Sequence, residues 1–351
     1  MYEVTPPTVM ASTPLSVFIL GATGYVGGSI LVRFQREYPD FTWTALVRNP
    51  KDVSAIQALG VKVVQGTQLD LDLIEHTAAE HDAVLNIANS DDLPLTQAVL
   101  RGLESRARSG DVAGKPILVH TSGSGVVTDT PWDGAYHPGT SDKIWDDSRV
   151  EDTKSIAPEQ MHRNVDLAIF EAGKRGLIDA YIVAPTTIYG KGRGPVRHLS
   201  VQVNGLIRTA VKHGQVLQVG PGTNIWSNVH IDDLVDLYVL VFNLARSSRQ
   251  SQEEVDPYER WFWGSSTRTH LWGDVAGALA KIMYAKGIVK KEGVRSVSLG
   301  EEEYSQEFGL VTTAHNSRVV ANRGFALGWR PQGPTLEDTL ASEVEWTLAE
   351  L

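Results

Sequence analysis

The residues best suited to chemistry lie near the start of the chain. Val17 to Ile30 reads V-F-I-L-G-A-T-G-Y-V-G-G-S-I. The apolar run Val17 to Leu20 leads into glycines at Gly21, Gly24 and Gly27, and an apolar helical pattern follows at Val26, Ile30, Leu31 and Phe34. Glycines permit a sharp turn and leave no Cβ between a ligand and the first helical N–H groups. Bare N–H groups at a helix N-terminus attract anions, above all a pyrophosphate. Spaced glycines alone are weak evidence, but a strand before them and a helix after them supply the context such a site requires. Gly21, Thr23, Gly24, Tyr25, Val26 and Gly27 are therefore expected to touch a dinucleotide.

A second chemical signal follows the next apolar run, Phe41 to Val47, which ends in Arg48, Asn49, Pro50 and Lys51. In a dinucleotide site this junction lies beside the adenosine ribose, where an acid would bind a free 2′-hydroxyl. Arg48 and Lys51 suit a 2′-phosphate instead, so the expected cofactor is NADP(H). Other constellations are weaker. His230, Asp232 and Asp233 are ligand-type residues close together, yet they sit at a strand-to-helix junction, and no metal is expected. Arg193, Arg197 and Arg208 could hold an anionic substrate group or form a solvated helix face. Ser122 lacks the G-x-S-x-G elbow of a hydrolase nucleophile.

Composition narrows the classes. The 351 residues suffice for one large or two ordinary α/β domains. The net charge of -10 comes with no basic block, which argues against a nucleic-acid partner. The chain has no cysteine, so thiolate nucleophiles, disulfides and Cys-based metal sites are excluded. Met1 to Pro14 reads as a loose polar arm without the apolar core of a signal peptide. No apolar run approaches the ~18 residues that span a bilayer. No membrane partner and a cytoplasmic location are the resulting expectations.

The elements that must position these residues alternate. Strands are expected at Val17–Leu20, Phe41–Val47, Val61–Gln65, Ala83–Ala88, Pro116–His120 and Ala180–Ala184, with helical patterns between them. That rhythm predicts a doubly wound, Rossmann-type parallel sheet with helices on both faces, and ligands at the carboxyl ends of the strands. Gly21, Arg48, Asn89 and Thr121 fall at such ends. Residues 15–190 read as the NADP-binding domain. Within it, 128–158 reads as an aromatic lid insert, with Trp132 and Tyr136 as substrate contacts. Residues 191–351 read as a mainly substrate-binding domain, with segments near 222–240 and 258–265 returning to the Rossmann core. Helices are expected at Met161–Arg175 and Arg197–Val211, with Asp232 or Asp233 capping the helix that follows Asn228, and a strand at Tyr258–Trp263.

Taken together, the chain resembles the extended and atypical short-chain dehydrogenases/reductases, the broad NAD-dependent epimerase/dehydratase group, with an NmrA-like flavour. The resemblance runs from about Ser16 to the C-terminus. It rests on Gly21, Gly24 and Gly27, on V-H-I-D-D at Val229–Asp233, on P-T-T-I-Y-G at Pro185–Gly190, and on A-L-G-W-R-P at Ala326–Pro331. It implies that Pro185, Thr186 and Thr187 lie near the nicotinamide and that Ala88 and Thr121 flank the cofactor. It also implies a small-molecule substrate and an option of homodimerisation. Tyr189, Trp226 and Asn228 are the pocket-like residues of the second half.

The departure from the family is informative. Its usual chemistry uses a Tyr, a Lys four residues later and a nearby Ser or Thr. None of the ten tyrosines here has Lys at that spacing. His162 and Asp166 fall at about the Tyr and Lys places, and Gly123 at about the Ser place, flanked by Ser122 and Ser124. One reading is a reductase of carbonyls, imines or enones in which His162 donates the proton and Asp166 orients it. A second is redox-neutral epimerisation, isomerisation or cyclisation. A third is a non-catalytic NADP(H) sensor.

Overall fold

The structure is a computed structural model and describes residues 14–110, 113–129, 142–251, 253–298, 300, 304 and 307–351. Seven strands form its central sheet: β1 (Ser16–Leu20), β2 (Thr42–Val47), β3 (Lys62–Gln65), β4 (Ala83–Asn86), β5 (Ile117–Thr121), β6 (Asp179–Pro185) and β7 (Trp261–Gly264). Every pairing is parallel, in the order β7-β6-β5-β4-β1-β2-β3. The inner strands are buried along nearly their whole length. Helices cover both faces, so these strands read as apolar runs rather than alternating patterns. The chain leaves β1 toward β2 and β3, then returns to β4 on the other side. The crevice opens where that order reverses, between the carboxyl ends of β1 and β4.

At that crevice the backbone is as close as it can be. Gly21 has φ +89°, and a Cβ on it would stand 2.3 Å from the Ile87 carbonyl oxygen beyond β4. A Cβ on Gly27 would stand 2.2 Å from the Gly21 carbonyl oxygen. Both positions therefore require glycine, and the turn delivers the chain into the helix Tyr25–Glu37.

The second half contributes twice. The helix Ile231–Ser248 packs on Tyr25–Glu37, and β7 joins the sheet edge with Gly264 opposite Pro185. A separate apolar core lies under Gln202–His213, Trp272–Ala285 and Leu336–Ala349.

Several expected bounds shift for physical reasons. The helix expected at Arg197 begins at Gln202, because residues 190–201 form a strap over the first helix. Gly194 and Gly28 pack backbone to backbone, and the Gly192 N–H donates to His198 O at 2.8 Å. Pro257–Arg260 is a short 3-10 turn, so the last sheet strand starts at Trp261. The helix at Ile231 is capped by His230, whose ring accepts from the Asp232 N–H at 3.3 Å, and not by either aspartate. Asp233 instead accepts from the N–H groups of Gln332 and Gly333.

Of the expected lid insert, residues 130–141 lie outside the described residues, and so do Trp132 and Tyr136. The portion from residue 142 onward is anchored. Trp145–Asp146 pairs with Val319–Val320, and the buried Asp147 carboxylate accepts from the N–H groups of Trp263 at 3.0 Å and Arg323 at 2.9 Å. Among the described residues no helix is long and apolar enough to cross a membrane.

Candidate active site

Two connected hollows lie along the carboxyl edge of the sheet. The smaller, about 150 Å3, is walled by Gly21, Thr23, Gly24, Arg48, Gly66 and Arg197, among others. The larger cleft, about 450 Å3, begins at Gly24, Tyr25, Val26 and Gly27. It passes Ala88, Thr121 and Ser122 and ends at Ser200, Gln202 and Trp226. The first helix enters this wall with no side chain capping it and no acid in its first turn. Its N-terminal N–H groups are thus free for an anionic ligand. These residues fit a dinucleotide: a glycine turn under a pyrophosphate, and two guanidinium groups in the hollow beyond it.

Arg48 therefore faces the small hollow, whereas Lys51 does not; its backbone N–H is held by the Asn49 side chain in an exposed turn. Arg197, expected to hold an anionic substrate group or to lie on a solvated helix face, is carried by the strap to the same hollow as Arg48. Arg193 pairs with Asp232 at 2.8 Å, and Arg208 lies 3.7 Å from Glu350. Asn89 does not line either hollow. Its side chain accepts from the Asp91 N–H, and the neighbours Ser90 and Asp91 face the cleft instead.

On β6 and beyond, Pro185, Thr186 and Ile188 line the cleft. Thr187 and Tyr189 do not: within the short strand Thr187–Tyr189 they are buried on the side opposite to Ile188. Tyr189 is fully buried and donates its hydroxyl to Pro334 O at 2.8 Å. Asn228 is likewise withdrawn, 3.0 Å from His270 Nδ1 in the interior. Trp226 does reach the cleft, with its indole N–H bonded to His315 O.

The centre of the cleft departs most from expectation. The helix expected from Met161 starts at Arg163, and His162 precedes it with φ +66°. No other non-glycine residue among those described has a positive φ. Its ring does not pair with Asp166. Nδ1 lies 2.7 Å from Asp91 Oδ1, and the His162 backbone N–H donates to the same oxygen at 3.1 Å. The hydrogen bond from His162 holds the Asp91 carboxyl below the usual carboxylate range despite partial burial. Bound through Nδ1, the ring presents Nε2, which would stand 3.0 Å from a Cβ on Gly123 at the cleft wall.

Asp166 is a correction. It is fully buried, accepts a hydrogen bond from Ser122 Oγ at 3.2 Å, and does not line the cleft. Burial pushes its pKa up to about 7. Ser122 is thereby occupied, whereas Ser124 lines the cleft with a buried hydroxyl that has no hydrogen-bond partner. Thr121 Oγ1 lies 2.6 Å from the Tyr238 hydroxyl. Beneath them His120 is fully buried, and desolvation takes its pKa down to about 3, so it adds no charge. Asp91, which lines the cleft and holds His162, is the residue that the sequence did not single out. Among the described residues no cluster of ligand-type side chains could hold a metal ion, and His230 serves as the cap described above.

Comparisons with known proteins agree with this geometry. Residues 21–141 match the NAD(P)H-binding family and residues 161–254 match the NAD dependent epimerase/dehydratase family. A curated relative named oxidase ucsJ, from Acremonium sp, is 28% identical, over 91% of this chain and 94% of its own length. An uncharacterized protein of Schizosaccharomyces pombe is 24% identical over 94% of this chain and 99% of its own length. Among solved structures, the dTDP-glucose 4,6-dehydratase of Streptomyces venezuelae with NAD bound superposes with TM-score 0.65 at 18% identity, covering 95% of this chain and 97% of that one. A UDP-glucose 4-epimerase of Thermotoga maritima with UDP-glucose gives TM-score 0.64 at 14% identity, covering 95% and 99%. At such identities the likeness is one of fold.

Proposed function

We propose that this chain, whose residues 21–141 match the NAD(P)H-binding family and residues 161–254 the NAD dependent epimerase/dehydratase family, is an NADP(H)-dependent oxidoreductase of the extended short-chain dehydrogenase/reductase type, acting on a small organic substrate. In this reading the His162–Asp91 dyad replaces the usual Tyr–Lys pair. The observation that carries it is the ring of His162, locked by Asp91 at Nδ1 and open at Nε2 beside Gly123. NADP(H), when bound, supplies or accepts the hydride at the substrate carbon. The protein's own task is the proton. When a carbonyl is reduced, Nε2–H gives its proton to the oxygen as the C=O bond becomes C–OH; in oxidation the proton returns to Nε2. Asp91 fixes the ring and stabilises it when charged. Ser124 Oγ offers a hydrogen bond to the same oxygen.

Arg48 and Arg197 support a 2′-phosphate, since two guanidinium groups in one hollow suit a dianion and give nothing to a free diol. That a relative is named an oxidase supports net redox over redox-neutral turnover or pure sensing.

The test is NADPH oxidation, followed by the absorbance of the reduced nicotinamide, against a panel of aldehydes, ketones, enones and imines. His162→Ala should lower kcat by about 10²-fold or more on any active member, with NADPH affinity unchanged. Turnover left intact in His162→Ala and Asp91→Asn alike would remove the dyad from the chemistry. Tight NADPH binding with no oxidation across the panel would favour the sensing reading.

A further inference from the structure

The substrate's chemical class can be read from what the cleft lacks. Among the described residues, no basic side chain lines it apart from the His162 imidazole. All 32 Lys and Arg residues lie among the described residues, so no other segment of the chain can bring one in. The arginines nearest in sequence to its walls are engaged elsewhere. Arg193 is paired with Asp232, Arg197 lies in the hollow beyond the glycine turn, and Arg163 is buried with its guanidinium donating to Thr153 O at 2.8 Å.

Among the described residues, the full charge that does line the cleft is the carboxylate of Asp91, and the one basic ring beside it is already bonded to it. Away from the glycine turn the walls are Met161, Ile188, Leu199, Val201 and Trp226, with neutral polar groups from Ser124 and Gln202. An anionic group entering here would shed water against apolar side chains and meet a negative charge with no basic side chain of its own to pair with. An uncharged apolar molecule would lose little and bury its surface.

We infer that the cleft takes an uncharged, largely apolar carbonyl compound and rejects nucleotide sugars and other anions. The sugar-nucleotide enzymes that share this fold, one of them solved with UDP-glucose, thus differ from this protein in substrate class. The inference rests on the reading that the glycine-turn end of the cleft holds NADP(H), and that premise is measured separately.

The experiment uses the full chain. NADPH and NADP+ affinities come first, by calorimetry; failure of both to bind removes the premise and with it the proposed function. The protein is then saturated with NADP+, which prevents reduction, and titrated with three probes under saturation-transfer NMR and calorimetry. They are benzylacetone (an uncharged aryl ketone), its para-carboxylate, and UDP-glucose. Benzylacetone should bind, with the carboxylate and UDP-glucose at least about tenfold weaker, equivalent to about 1.4 kcal/mol. Equal binding of either anion, or no binding of benzylacetone to NADP+-loaded protein, overturns the inference while leaving the cofactor assignment intact.

Val201→Lys tests the cause. Val201 is 63% exposed at the cleft mouth, so lysine there leaves the fold undisturbed. The carboxylate probe should then gain about fivefold or more over wild type. No gain in a variant with unchanged NADP+ affinity would show that charge is not what excludes anions.

Discussion

Asp166→Asn is the substitution whose outcome the structure specifies most fully. The carboxyl group is fully buried, one oxygen accepts from Ser122, and the other has no hydrogen-bond partner. Burial, only partly offset by the nearby His162 and by Ser122, raises its pKa from 3.8 to about 7. The folded protein therefore keeps this proton across a range in which the unfolded chain has released it. Between the two values the native state binds more protons than the unfolded state, so stability falls as pH rises. Each pH unit in that window costs about 1.4 kcal/mol. From pH ~5 to pH ~8.5 the chain crosses about two units below the native pKa, a loss of about 2.5–3 kcal/mol. Asparagine has nearly the same shape, still accepts from Ser122 and does not titrate.

Urea unfolding of both proteins across that pH range gives the stability of the variant minus that of wild type. This difference should rise by about 2–3 kcal/mol from acid to alkaline pH. Asp147, also buried and also raised to about 7, titrates in both proteins and cancels. The amide's extra N–H adds an offset independent of pH, so the slope is the prediction and the intercept is not. A flat difference, or one that falls with pH, would refute the assignment of Asp166 as a carboxyl group that is neutral in the acid range. A protonated Asp166 also leaves Asp91 as the charged carboxylate bonded to His162, which the dyad requires.

Three other outcomes follow from single contacts. Arg48→Ala and Arg197→Ala should each weaken NADPH binding by about tenfold or more, the loss of a charge-assisted contact, and leave NADH nearly unchanged in calorimetry; an equal effect on both cofactors would sink the 2′-phosphate assignment. Gly27→Ala should abolish measurable NADPH binding, because a Cβ there stands 2.2 Å from the Gly21 carbonyl oxygen and must displace the turn; retained affinity would show that the turn yields freely. Gly277→Ala, in the helix Trp272–Ala285 with open space around the new methyl group, should stabilise the protein by about 0.5–1 kcal/mol in urea unfolding, and a loss would mean the helix is packed more tightly than it looks.

Burial on both faces made the parallel strands legible, since each appears as a short apolar run between turn residues. The glycine turn was equally legible, because its function fixes residue type at each position. Other parts were hidden for identifiable reasons. Nothing local marks Asp91, which lies 71 residues from His162 in sequence and meets it only because β4 and the start of the helix Arg163–Lys174 end at the same edge. The left-handed backbone at His162 could not be read either, since glycine, not histidine, signals a positive φ. For Thr187 and Tyr189 a signal existed: within the short strand Thr187–Tyr189 they share a face that excludes Ile188, so these two and Ile188 cannot line the cleft together. The strap carries helix-like apolar spacing up to Gln202, which conceals where Arg197 goes.

In the proposed reading, the histidine in place of the Tyr–Lys pair and the glycine at position 123 belong together. His162 holds a backbone conformation that costs a non-glycine residue roughly 1–2 kcal/mol. Asp91 offsets this by accepting from both its backbone N–H and its ring. The ring then occupies the space beside residue 123, where a Cβ would already be within 3.0 Å of Nε2. A serine at 123 would crowd a histidine posed this way, whose ring would have to give by a few tenths of an ångström, so glycine at 123 leaves the imidazole room at the cleft wall. The neighbouring hydroxyl that could replace the absent serine is that of Ser124, buried and without a hydrogen-bond partner on the cleft side of the same turn. A site that had simply lost its chemistry would have no reason to strain a backbone, support it with a carboxylate and clear a side chain from its path; together these three features favour a retained proton-transfer role.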